Sequence, residues 1–154
     1  MADLSFDSSL VVRIDEEGLT CEDVERRLAA ALEEQGYVKD TYAQAIVDRE
    51  ANFPTALDMG GLNVAIPHCD VVNVNRAAMC MGVLAHPVDW HKMDEPDETC
   101  GVSVVCMLAL TEAHAHLEML QKVIAFVQDQ ELVGKVIAAA DADEVFSLAG
   151  ALLA

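Results

Sequence analysis

Leu62-Asn63-Val64-Ala65-Ile66-Pro67-His68-Cys69-Asp70 decides how this chain is read. The apolar run reads as a buried strand. Pro67 closes it, because proline has no N–H to give a sheet ladder and is unwelcome inside a central strand. His68 follows at once. An ionisable imidazole therefore stands where a strand leaves the core, the kind of sheet edge at which open α/β proteins place ligand chemistry.

Working outward toward the N-terminus, residues 10–14 read as a first strand. Residues 22–35 read as a helix with Val24, Leu28, Ala31 and Leu32 at helical spacing, opened by a loose Thr20/Asp23 capping box and stopped by Gly36. Asp40 is the expected cap of a second helix over residues 41–52, which carries Arg49 and which Pro54 limits. Residues 55–61 are a connection with a tight turn at Gly60-Gly61.

Toward the C-terminus, residues 77–84 read as a strand with Met79, Met81 and Val83 on one face. Residues 87–90 read as a small strand or turn, and 91–98, polar and holding Pro96, as an exposed loop. Residues 102–110 are the longest apolar run, a strand buried on both faces. The period then changes, and helices are expected over 116–127, 131–140 and 143–153, the last capped by Asp141. The sum is an α/β fold, a single domain over residues 1–154 with a mixed sheet and helices on both faces.

Composition narrows the function. An apolar fraction of 53% excludes a disordered chain. No stretch is long and clean enough to span a bilayer. The acidic start Met1-Ala2-Asp3-Leu4-Ser5-Phe6-Asp7 lacks the basic region and apolar core of a signal peptide, so the expected location is the cytoplasm. The five cysteines form no CxxC pair and are expected as free thiols, Cys80 and Cys106 as small core residues. A formal charge of −18, from 27 acidic against 9 basic residues, argues against nucleic acid and against anionic membrane surfaces. It suits steering toward a partner with a basic face.

Histidine carries phosphoryl groups well. Its neutral ring nitrogen is a good nucleophile near neutral pH, and the phosphorylated nitrogen is a good leaving group. Such a site needs an accessible ring and donors for the phosphoryl oxygens, which a planar arginine fork provides. His68 is the candidate nucleophile. Arg49 is the candidate donor, its plain alternative being a surface ion pair with Asp48 or Glu50. His114 and His116 diverge on a helix. His116 leads into the stripe Leu117, Leu120, Ile124 and is the one expected to face inward. His86 and His91 read as surface residues. His68, Cys69, Asp70 and His116 are all acceptable zinc ligands, but adjacent residues rarely hold one ion together and no recognised spacing is present. Cys69 as a nucleophile has a histidine neighbour and no helix-start context. No Walker loop and no GxGxxG occurs.

Three motifs in order, Arg49-Glu50-Ala51-Asn52-Phe53-Pro54-Thr55, Val64-Ala65-Ile66-Pro67-His68-Cys69 and His116-Leu117-Glu118-Met119-Leu120, resemble the IIA components of the bacterial sugar phosphotransferase system. The branch is the fructose–mannitol one, and the Phe-Pro-Thr and Pro-His-Cys-Asp stretches look most like its galactitol-type members. The resemblance implies that His68 accepts a phosphoryl group from the phosphohistidine of HPr and passes it to a cysteine of a IIB component, while a membrane IIC component moves the sugar. It implies a phosphate-stabilising role for Arg49 and a second active-site histidine in His116. Glu50, Thr55 and Asn63 are carried as residues that shape the site, and no metal or cofactor is implied. Ala56 and Cys69 depart from the glycines that many relatives hold there. The alternative within the same site is a regulatory switch whose affinity for a protein target changes with phosphorylation.

Overall fold

The computed structural model describes residues 4–58, 60–112 and 115–153, the side chains of 115, 116, 151 and 152 excepted. Its elements run β1 (Val11–Ile14), α1 (Cys21–Glu34), α2 (Tyr42–Asn52), β2 (Ala56–Leu57), β3 (Asn63–Ala65), β4 (Ala78–His91), β5 (Thr99–Ala109), α3 (Ala115–Gln128), α4 (Gln130–Ala138) and α5 (Ala142–Leu153). The five strands form one mixed sheet in the order β1-β4-β5-β3-β2. β1 pairs parallel with β4, β4 antiparallel with β5, β5 parallel with β3 and β3 antiparallel with β2. Two helical groups flank the sheet: α1 lies on β4 with α2 against it, while α3, α4 and α5 pack together, α4 against β4 and α5 against β1.

The local signals explain most of these elements. Thr20 Oγ1 accepts from Asp23 N–H and the Asp23 carboxylate accepts from Thr20 N–H, so the capping box closes as expected. Gly36 turns the chain out of α1 at φ 80°. Asp141 caps α5 by accepting from Glu144 N–H. Gly82 lets α1 approach the sheet: a Cβ there would stand 3.0 Å from Leu28 Cδ1.

Four expectations change. The strand that carries His68 is not central: β5 takes the middle, and β3 lies one place from the edge. Residues 77–84 and 87–90 belong to a single strand, β4, whose pairing with β5 shifts register between Val83 and Val88. Pro87 sits inside that irregular stretch, where no ladder bond is required of it, so it does not end the strand. The alternation then resumes, and Trp90 is fully buried between exposed Asp89 and His91. The connection 55–61 holds β2, too short to show a period. Asp40 does not cap α2; Thr41 occupies the cap position without a side-chain cap bond, and its hydroxyl is engaged with Asn73 Oδ1 at 2.8 Å.

Among the described residues no helix is long and apolar enough to cross a membrane. Cys80 and Cys106 are buried within the core and all five cysteines are unbridged.

Candidate functional site

β3 and β5 run parallel, so their C-terminal ends reach the same edge of the sheet. His68 leaves β3 there, and β5 ends there before α3. Pro67 O accepts from Leu108 N–H at 2.9 Å, which carries the pairing past the last regular residue of β3. Leu108 O in turn accepts from the buried Tyr42 hydroxyl at 2.6 Å, tying α2 to the same edge. β2 lies antiparallel on β3, and Ile66 N–H donates to Thr55 O at 3.3 Å. The last turn of α2, with Arg49, is thereby brought beside His68.

His68 is half-buried. Its Nδ1 lies 2.9 Å from Ile66 O. A carbonyl oxygen only accepts, so Nδ1 carries the proton and donates, and Nε2 holds the lone pair. Burial lowers the pKa of the ring, because water no longer stabilises the imidazolium; the Ile66 carbonyl works against that, and the Arg49 charge adds to it. The outcome is a neutral imidazole of fixed tautomer at neutral pH.

Arg49 stacks its guanidinium over Phe53, 5.2 Å from the ring centroid, and its Nε is buried without a hydrogen-bond partner among the described residues. Neither expected ion-pair partner is turned to it. Asp48 accepts from Gln44 at 2.9 Å, and Glu50 is buried and accepts from Thr55 N–H and Thr55 Oγ1, both at 2.7 Å. Glu50 and Thr55 thus lock the turn between α2 and β2, which fixes where Arg49 stands. Burial raises the Glu50 pKa, and its bonds from Thr55 partly offset this.

Asn63 is placed elsewhere. It begins β3, at the end opposite His68, and its Nδ2 donates to Gly101 O at 2.9 Å, bracing β3 on β5 where the register shifts. Cys69 is buried, with Asn73 Nδ2 at 3.6 Å from its Sγ. Burial and the Asp70 charge push its thiol up to about 11, so it is a poor nucleophile and a poor metal ligand at neutral pH. No group of three metal-ligating side chains gathers among the described residues. His114 and the side chain of His116 lie outside the described residues; the backbone of His116 is in the first turn of α3. His86 and His91 are exposed, as expected.

Two features of the rim carry no motif. One is the Ile66 carbonyl, a group every residue possesses. The other is a set of exposed apolar side chains: Phe53, Val72, Met93 and Leu117. Met93 and Leu117 join Ile66, His68, Leu108 and Leu120 around a small cavity of about 90 Å³. Met93 comes from the polar connection after β4, where its N–H donates to Ala56 O at 2.9 Å. An imidazole beside exposed apolar side chains such as Met93 and Leu117 is the anatomy of a surface that meets another protein.

Residues 5–149 match the family model described as phosphoenolpyruvate-dependent sugar phosphotransferase system, EIIA 2. The galactitol-specific EIIA component of Escherichia coli (strain K12) is 29% identical over 103 residues, covering 67% of this chain and 68% of that one. Among solved structures, the complex of E. coli enzyme IIAMtl with phosphorylated IIBMtl matches with a TM-score of 0.78 at 21% identity, over 96% of this chain and 99% of that one. The nitrogen regulatory protein IIA-Ntr of Neisseria meningitidis matches with a TM-score of 0.69 at 22% identity, over 92% and 93%.

Proposed function

The chain belongs to the EIIA 2 family of the phosphoenolpyruvate-dependent sugar phosphotransferase system, and from that membership we propose that it is a cytoplasmic phosphocarrier working through His68. The observation that supports this most is the clamp of His68 Nδ1 on Ile66 O, which leaves the lone pair on Nε2 of a ring whose basicity burial has lowered. Nε2 attacks the phosphorus of the phosphohistidine of HPr. A new N–P bond forms as the donor's N–P bond breaks and its electron pair returns to the donor ring. In the second step the thiolate of a IIB cysteine attacks the same phosphorus, and the pair of the breaking bond returns to Nε2. A membrane IIC component moves the sugar.

Phosphoryl transfer of this kind is mostly positioning and charge stabilisation. Arg49 supplies the fixed cation, neither Asp48 nor Glu50 being turned to it. Glu50 and Thr55 hold that arginine in place from behind. Asn63 acts further off, through the pairing of β3. The role of His116 as second active-site histidine rests on the family motif. Phe53, Val72, Met93 and Leu117 supply the apolar contact for HPr and IIB, and the charge of −18 speeds their arrival where they present basic faces.

Incubation with enzyme I, HPr and phosphoenolpyruvate tests the reading. Acid-labile phosphate is expected on the protein, with nitrogen-15 NMR locating it on Nε2, and none on His68→Ala. A His68→Ala protein that still gains phosphate removes His68 from the mechanism. The similarity to a nitrogen regulatory IIA favours a second reading, a phosphorylation-dependent switch on the same surface. Adjacent genes for IIB and IIC components favour transport; their absence favours the switch.

A further inference from the structure

We propose that Tyr42 is a positioning residue for transfer at His68: its hydroxyl sets where α2, and with it Arg49, stands along the sheet edge that carries the histidine. This rests on the phosphocarrier reading of His68 and Arg49 and adds a residue to it.

Tyr42 is the first residue of α2 and is fully buried. Arg49 follows two helical turns later, so the two side chains leave the same face of the helix, about 10 Å apart along its axis. The Tyr42 hydroxyl donates to Leu108 O at 2.6 Å. Burial drives the Tyr42 pKa well above the ordinary phenol value, so the proton that makes this bond is kept at any working pH. Inside the core no water competes for it.

Leu108 O lies where the ladder between β3 and β5 gives out. Leu108 N–H donates to Pro67 O at 2.9 Å. In a regular parallel pair the next rung would run from residue 69 back to Leu108 O. Here the tyrosine hydroxyl takes that place, while the chain turns outward at His68. A phenylalanine ring would fill the same space, but only the hydroxyl meets the acceptor.

The bonds close into a circuit. Tyr42 holds Leu108, and Leu108 holds Pro67. The preceding residue, Ile66, donates its N–H to Thr55 O at 3.3 Å. Thr55 donates to Glu50, in the turn of α2 that bears Arg49. Ile66 O, on the same circuit, receives His68 Nδ1. Both ends of α2 are thus fastened to one edge, and the fastening spaces guanidinium from imidazole. Thr41 adds a grip beyond His68: its hydroxyl bonds Asn73 Oδ1 at 2.8 Å, and Asn73 Nδ2 donates to Asp70 O at 3.2 Å. Those contacts are exposed, and water competes for them. Releasing the buried end lets α2 move along the edge, which a transfer that depends on alignment does not tolerate.

Tyr42→Phe tests this, with transfer from phospho-HPr as the reaction. Its kcat should fall about tenfold, with KM for phospho-HPr unchanged because the docking surface is untouched. In an Arg49→Met background the same substitution should cost no more than about twofold, since no guanidinium is left to misplace. The ring-proton titration of His68, which needs no turnover, should move to higher pH as the Arg49 charge recedes. 4-Aminophenylalanine in place of Tyr42 keeps a donor for Leu108 O and should return kcat to within about twofold of wild type. That chain also decides the matter should Tyr42→Phe fold poorly. An unchanged kcat in Tyr42→Phe, with a lower melting midpoint, makes the hydroxyl a matter of stability and overturns the proposal. So does a tenfold loss that persists in full beside Arg49→Met, or an equal loss with 4-aminophenylalanine. If wild type takes no phosphate on His68, the phosphocarrier reading fails instead. The titration then decides on Tyr42: an upward shift sustains the placement, and an unmoved one overturns it.

Discussion

At the rim of the sheet, His68 gives up much of its contact with water but keeps some, and receives a carbonyl on one nitrogen and a guanidinium nearby. Beneath α1, Glu25 gives up nearly all of it, and one of its oxygens receives nothing. Burial drives both groups toward their neutral forms, downward in pKa for the base and upward for the acid. The difference lies in the partners. The rim fixes one tautomer and leaves the lone pair on Nε2, which is what a nucleophile requires. Beneath α1 nothing among the described residues pairs with that oxygen, and burial holds the Glu25 carboxyl neutral. Glu50 stands between the two: its oxygens are spent on Thr55, which steadies Arg49 for the rim, yet its side chain also lines a cavity together with Glu25.

The largest effect that would break this contrast is at His68 itself. His68→Asn keeps a short N–H donor for Ile66 O and removes the nucleophile. Phosphorylation by phospho-HPr should vanish, while stability by urea melt stays within about 0.5 kcal/mol of wild type. Surviving phosphorylation places the nucleophile elsewhere.

Glu25→Gln comes next. Glu25 holds its proton to about 9 in the folded chain, against 4.5 as the reference value. The folded protein therefore binds more protons than the unfolded one between these limits, and stability falls as pH rises through that window. The slope from this group is about 1.4 kcal/mol per pH unit. Urea melts at pH 5 and pH 8 should show wild type losing roughly 4 kcal/mol more than Glu25→Gln. Parallel pH profiles mean Glu25 is not held neutral.

Arg49→Met should slow transfer from phospho-HPr about 100-fold, the usual cost of one oxyanion donor. It should also raise the His68 pKa, since the Arg49 charge helps to depress it. The sign is that of a group with a lowered folded pKa. The His68 share of stability is lost as pH falls from the ordinary imidazole value of about 6.5 toward the lowered folded value, and its rate is lost only at the lower pH where the folded ring protonates. The acid limb of the rate profile, and the ring's proton NMR titration, should move to higher pH in the variant. A slower enzyme with an unmoved titration separates Arg49 from His68.

The smallest effect belongs to Thr55→Val, which keeps the backbone donor to Glu50 and deletes the hydroxyl bond to Oε1. A loss of about 1–2 kcal/mol in a chemical melt is expected, with the Glu50 pKa moving higher still. No change would mean that the turn from α2 to β2 is held by the N–H alone.

The places of His68 and Arg49 near the ends of a strand and a helix were legible in the chain, because Pro67 and Pro54 mark those ends. The capping box at Thr20 was legible as well, since its partners lie three residues apart. β2 was not, because two residues show no period. The unity of β4 was not, because Pro87 ends a strand unless its partner shifts register, and the partner is β5. The burial of Glu25 was not legible either; it lies four residues after Cys21 and four before the buried Ala29, on the margin of the apolar stripe, and only α2 laid across that margin takes it out of water.

By itself, then, the sequence determined an α/β chain with a histidine at the end of a buried strand, a basic residue closing a helix, and a family pattern joining the two. Tertiary structure alone decided which ring nitrogen keeps its proton, that Met93 and Leu117 meet beside His68, and that the carboxyl of Glu25 and the indole of Trp90 are taken out of water. Composition and period are local properties of the chain, whereas solvation and charge coupling depend on distances between segments far apart along it.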